Sequence, residues 1–207
     1  MPLYVRVEGE AVGGGIGWIL EPYLIDCVTF VRGVEPAELA ARLGARPGQE
    51  ARRGSAEDAA GLLAGGGAAT VARVGRVGEW SFAVEYGDAV GSTGSGLGAV
   101  SSEGADAVNF LLTPWHPPSM FAYFRDGVRV CSFGLGEEGR RWGERPDLLV
   151  PALTETGVLP VRPELRKADA ERSRRLSVLT VGDHFGLRLP RADVLDGELP
   201  LFVVRTA

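Results

Sequence analysis

The sequence predicts an α+β fold: a central, mostly antiparallel sheet of about five to seven strands, flanked by short helices, with a helical C-terminal portion. Three observations predict it. Residues Glu79 to Tyr86 alternate cleanly, with Trp80, Phe82, Val84 and Tyr86 on one side and Ser81, Ala83 and Glu85 on the other. Asp126-Gly127 sits between two apolar runs, the strongest hairpin signal in the chain. The strand-like runs cluster in the middle of the chain instead of alternating with helices.

The elements follow in order. Residues 1–17, rich in glycine at Gly13-Gly14-Gly15 and Gly17, read as a flexible head with a short strand near Leu3–Val7. Leu24–Val31 is β-branched, aromatic and short, hence a strand ending at Gly33. Glu35–Gly44 has Pro36 in its first turn, acid at its start and glycine at its end, which reads as a helix. Ser55 caps a second helix through Leu63, with Glu57 and Asp58 in its first turn. Ala69–Val74 and Glu79–Tyr86 form a hairpin around Gly75–Gly78. Residues 87–98 read as a glycine- and serine-rich loop, with a helical turn near Leu97–Ser102. Ala107–Leu112 is a strand broken by Pro114, Pro117 and Pro118, and Met120–Arg125 and Val128–Phe133 are the arms of the Asp126-Gly127 hairpin. Helices are expected over Pro146–Thr156, closed by Gly157, and Asp169–Val181, closed by Gly182, before a last strand over Leu199–Val204. The whole chain, 1–207, reads as a single globular domain.

Composition narrows the class. An apolar share of 45% and a charged share of 24% suit a packed globule and argue against disorder. No apolar run reaches the roughly 18 residues that span a bilayer, and the N-terminal residues lack the pattern of a secretory signal, so a cytoplasmic location is expected. Cys27 and Cys131 each lie in an apolar run and are expected as buried thiols. The net charge of −5 argues against a broad nucleic-acid surface. Lys167 is the only lysine among many arginines, a bias of GC-rich bacterial genomes.

A set of short motifs keeps a recognisable order. It runs from Val28-Thr29-Phe30-Val31-Arg32-Gly33 and Arg42-Leu43-Gly44-Ala45, through Gly78-Glu79-Trp80 leading to Glu85, to Phe124-Arg125-Asp126-Gly127, Phe133, Arg141-Trp142-Gly143 and Pro146-Asp147-Leu148-Leu149. In that order they resemble a widespread family of uncharacterised actinobacterial proteins, over roughly residues 18–157. The chain departs from the pattern after Glu85, where Tyr86-Gly87-Asp88 replaces an expected proline or Asn-Gly turn. The resemblance implies a fold and a bacterial source, and it transfers no catalytic residue.

The standard chemical motifs each lack a part. Gly91–Gly98 could present amides to a phosphate, but no lysine followed by serine or threonine completes a P-loop, and the preceding strand is expected to be antiparallel. His116, His184, Cys27 and Cys131 show no metal-motif spacing, so no metal or cofactor is expected. Gly94-Ser95-Gly96 lacks the strand–turn–helix setting of a nucleophile elbow. What remains is a set of ligand-binding candidates. Glu85, opposite the aromatic strand face, would need a partner if buried, with Arg32, Arg125 or Arg145 available. Trp115 and His116 sit in a proline-stiffened loop, where Trp115 either offers a binding surface or caps the core. Arg141, Trp142 and Arg145 would suit an anion or an aromatic ligand, unless Trp142 anchors the loop while the arginines pair with Glu137, Glu138 and Asp147.

The expectation for function is a binding or interaction module for a protein or small ligand, as monomer or homodimer, without nucleic acid or membrane as partner. Toxin-neutralising and effector-associated proteins are one class that fits. The alternatives are a small-molecule hydrolase or acid–base enzyme using Glu85 and His116, and a structural subunit.

Overall fold

The computed structural model describes residues 15–21, 25–46, 48–112, 118–160 and 167–205. Its centre is one antiparallel sheet of nine strands, more than the sequence announces. The strands are β1 (Cys27–Arg32), β2 (Arg52–Gly54), β3 (Thr70–Val77), β4 (Trp80–Gly87), β5 (Asp106–Leu111), β6 (Met120–Arg125), β7 (Val128–Gly134), β8 (Arg141–Trp142) and β9 (Leu199–Arg205). They lie side by side in the order β2-β9-β3-β4-β1-β5-β6-β7-β8. The two additions, β2 and β8, are three and two residues long, too short to show alternation, and both are edge strands.

Helices cover both faces. They are α1 (Pro36–Leu43), α2 (Ala56–Ala64), α3 (Gly94–Val100), α4 (Val150–Glu155), α5 (Lys167–Phe185) and α6 (Arg191–Leu195). The face carrying Val28, Phe30, Trp80, Phe82, Val84, Phe110, Phe121 and Phe133 packs against Val178 and Val181 of α5 and Leu153 of α4. The opposite face, with Val31, Val74, Ala83, Ala107 and Phe124, packs against Leu39 and Leu43 of α1 and Leu97 and Val100 of α3. Each fully buried phenylalanine contributes about 1.5–3 kcal/mol by leaving water. The alternation read from Glu79–Tyr86 is therefore the division of the molecule into two cores.

Local signals hold where they are strong. Ser55 accepts from the Asp58 N–H, and the Asp58 carboxylate accepts from the Ser55 N–H, a complete capping box. At the β6–β7 turn, Asp126 and Gly127 both have positive φ, 49° and 79°, which suits the twist of a two-residue hairpin. Cys27 and Cys131 are free and buried, as read from the sequence.

Other expectations change. The loop assigned to 87–98 is a 3-10 turn (Val90–Ser92) followed by α3; Thr93 caps α3 by accepting from the Gly96 N–H, and burial of Leu97 and Val100 overrides the poor helix propensity of its glycines. Helix α5 runs past Gly182 to Phe185. The C-terminal portion is only partly helical, because β9 returns to the sheet between β2 and β3. Arg73, fully buried, fastens that return. It donates to the carbonyls of Gly54 (3.0 Å), Val194 (2.7 Å) and Gly197 (2.6 Å) and to the Tyr86 hydroxyl (3.1 Å). Of the predicted head, residues 1–14 lie outside the described residues, while Ile16 and Gly17 are buried, Ile16 in the α5 core. No helix among the described residues is long and apolar enough to cross a membrane.

Candidate functional site

Glu85 is 1% exposed. Strand alternation turns it to the α1–α3 face, between Cys27 of β1 and Ala72 of β3. Among the described residues no arginine reaches it; Arg32 and Arg125, on the opposite face, turn instead to Asp106. Its carboxyl group accepts from the N–H of Val90 (2.7 Å), the N–H of Gly91 (3.1 Å to each oxygen), the Thr29 hydroxyl (3.3 Å) and the Cys27 thiol (3.7 Å). Asn109 completes the cluster by donating to Thr29 Oγ1 (3.0 Å), Cys27 Sγ and the Val28 carbonyl (3.3 Å each). Burial pushes the Glu85 carboxyl above its ordinary range, although the hydrogen bonds from Gly91, Val90, Thr29 and Cys27 pull the other way. Burial, then the neighbouring Glu85 charge, pushes the Cys27 thiol well up, so this pair is no nucleophile and base. The amides of the glycine-rich segment do point at an acceptor, but that acceptor is the protein's own Glu85 carboxyl group.

The open counterpart lies on the α5 face. Register places Arg125 directly across from Asp106, while Tyr123 lies across from Val108 and shares the face of Asp106. Tyr123 donates its hydroxyl to Asp106 Oδ1 at 2.7 Å. Arg125 Nε stands 3.5 Å from Oδ1 and Arg32 Nη1 3.8 Å from Oδ2, so both are ion pairs without a hydrogen bond. The Arg32 guanidinium lies 4.6 Å over the Trp80 ring, with one long contact to the Phe185 carbonyl at 3.5 Å. Trp80 donates its indole N–H to that carbonyl, and the Phe185 ring packs 4.8 Å from Tyr123. Burial, then the hydrogen bond and charge of Asp106, push the Tyr123 hydroxyl up to about 12, with Arg125 and Arg32 opposing. The side chains of Arg32 and Arg125 are 42% and 64% exposed against 14% for Asp106, so two cations with spare N–H donors surround one carboxylate at the end of α5.

The remaining candidates divide. Arg141 pairs with Asp147, through Nε at 3.1 Å and Nη2 at 2.7 Å, and donates to the Glu138 carbonyl; it holds its own loop together. Trp142 on edge strand β8 is 40% exposed. Arg145 is exposed, and its backbone N–H donates to the Val130 carbonyl. Between them Gly143 has φ 127°, and a Cβ there would overlap the Val130 carbonyl oxygen, which explains glycine in Arg141-Trp142-Gly143. Trp115 and His116 lie outside the described residues. Among the described residues no three His, Cys, Asp or Glu side chains gather as a metal set.

The structure thus brings Arg125 together with Arg32, Asp106, Tyr123 and Trp80, and Glu85 with Cys27, Thr29 and Asn109. Asp106 and Tyr123 were missed as site residues. The signal was present, since Asp106 shares a face with Val108 and Phe110, but it needed the β5–β6 register.

No curated protein and no solved structure matches the chain. A sequence-family comparison does match, over residues 18–181, from Trp18 well into α5. With most of its length covered, the chain belongs to the Family of unknown function DUF6461.

Proposed function

We propose that the protein is a binding module that holds an anionic group of a small ligand or partner protein against Arg32 and Arg125. One observation carries this reading: two exposed guanidinium groups are ion-paired with a single carboxylate but not hydrogen-bonded to it, so, apart from the long contact of Arg32 to the Phe185 carbonyl, their side-chain donors have no hydrogen-bond partner among the described residues and can meet an incoming oxyanion. Trp80 beneath Arg32 and the hydroxyl of Tyr123 on Asp106 hold the arrangement in place before a ligand arrives. An acid–base role for Glu85 would instead require a substrate route to a carboxyl group 1% exposed. The reading keeps the protein in the cytoplasm of a bacterium, in line with its two free, buried thiols.

Thermal-shift measurements at fixed ionic strength, against phosphate esters, small carboxylates and acidic peptides, test it. At least one class is expected to raise Tm, and the R32A/R125A double variant is expected to lose that rise. No rise with any class, or one the double variant keeps, overturns the reading.

A further inference from the structure

Arg32 and Arg125 belong to one row of side chains that runs across the sheet. Register sets Trp80 of β4 across from Arg32 of β1, Asp106 of β5 across from Arg125 of β6, and Arg125 across from Val128 of β7. Val31 pairs with Ala107, so Arg32 and Asp106, the next residues on these antiparallel strands, meet in the same row. Directly opposed residues share a face, and neighbouring strands lie about 4.8 Å apart. The row therefore reads cation, anion, cation, with Trp80 at one end and Val128 at the other. Val128 is 43% exposed, one of two large apolar side chains that reach solvent among the described residues.

The two arginines offer a ligand different things. Arg32 offers a face. One side of its guanidinium lies over the buried Trp80 ring, and its polar contacts, Nη1 to Asp106 and Nη2 to the Phe185 carbonyl, leave from the edge. No second ring covers its outer side among the described residues, and its side chain is 42% exposed. Arg125 offers an edge. Only Nε approaches Asp106, so Nη1 and Nη2 have no hydrogen-bond partner among the described residues and match the two oxygens of a carboxylate.

We propose, resting on the reading of Arg32 and Arg125 as an anion site, that the ligand is an aromatic acid: a flat ring that stacks on the outer face of Arg32 and carries a carboxylate to the Nη1–Nη2 edge of Arg125. A guanidinium face is weakly hydrated, so a ring that covers it displaces little water and brings its negative face to the cation. An aliphatic ring of the same size has no such face. Trp80 already holds the guanidinium, so little side-chain freedom is left to lose when a second ring closes the sandwich. The acid group answers the charge, because two guanidinium groups meet one carboxylate and leave a surplus of one positive charge. Val128 beside Arg125 adds apolar surface that an inorganic anion would leave uncovered.

NMR titrations with benzoate and cyclohexanecarboxylate, matched in charge and ring size, test it at fixed ionic strength and neutral pH. Benzoate is expected to bind about two- to fivefold more tightly. Its ring current should move the Arg32 Nε–H proton upfield, a shift that cyclohexanecarboxylate does not produce. R32K keeps the charge and loses the flat face, so it should bring the two acids to equal affinity, whereas R125A should weaken both alike. The wild-type comparison and the Arg32 shift need no variant, and they decide the matter if R32K folds poorly. Equal affinities in the wild type, no upfield shift, binding of neither acid, or a benzoate preference that R32K keeps would each overturn the aromatic class. Equal affinities that are both lost in R32A/R125A would end the aromatic class and leave the anion site standing.

Discussion

Two carboxylates on opposite faces of one sheet are held in opposite ways. Glu85 is sealed, with no cation beside it among the described residues, and the donors it meets there are neutral. Asp106 lies near the rim, with two arginines beside it and one hydroxyl donated to it. The difference follows from what covers each face. The turn before α3 closes over Glu85, whereas α5 ends at Phe185 and leaves Arg32 and Arg125 open to water. A buried acid without a counter-ion binds one segment of its own chain. A carboxylate with surplus cations leaves donors for something else.

The comparison is broken most easily at Glu85. Glu85→Ala strips the acceptor from two backbone amides and leaves a void, and urea denaturation should record a loss of about 2–4 kcal/mol. A loss under about 1 kcal/mol would mean the cluster is wetter than its burial implies. Gly91→Ala attacks the same contact from the other side; it should cost about 1–3 kcal/mol because the turn must lift off Glu85 and Thr29. The pH dependence has a definite sign. With its folded value raised, Glu85 contributes stability that is present below its unfolded pKa and lost as pH rises through the folded one. The wild type should therefore gain on E85Q as pH is lowered, in paired denaturation curves across the acid-to-neutral range.

On the open side the effects are smaller. Asp106→Asn should bring the Tyr123 hydroxyl down from about 12 towards its ordinary value, read as tyrosinate absorbance in an alkaline titration. Stability should change by no more than about 1 kcal/mol. Arg125→Ala should be nearly silent, within about 0.5 kcal/mol, because its side chain is 64% exposed. A large loss there would recast the open cluster as structural.

The sequence made the two faces legible and left their uses obscure. Alternation through Trp80–Tyr86 separates Glu85 from the aromatics, and Asp126-Gly127 sets one hairpin; both signals act within a few residues. What covers Glu85 is a segment whose glycines argue locally for a loop and which folds only because Leu97 and Val100 find a core. The partners of Arg125 depend on β5–β6 pairing, which no local pattern reports. The resemblance seen over 18–157 extends in fact to 181 and takes in the stretch of α5 that sets Val178 and Val181 against the aromatic face of the sheet.

The place of β9 bears on the order of assembly. Strands β3 through β8 lie close together in the chain, and most neighbours among them can pair soon after synthesis. Strand β2 has β9 as its sheet neighbour, and β3 keeps one edge bare until that same strand arrives. Arg73 likewise waits for the carbonyls of Val194 and Gly197. On the ribosome, then, the nascent chain carries an unpaired sheet edge, and an arginine short of two of its carbonyl partners, until β9 emerges, and through that interval the edge is open to pairing with other chains.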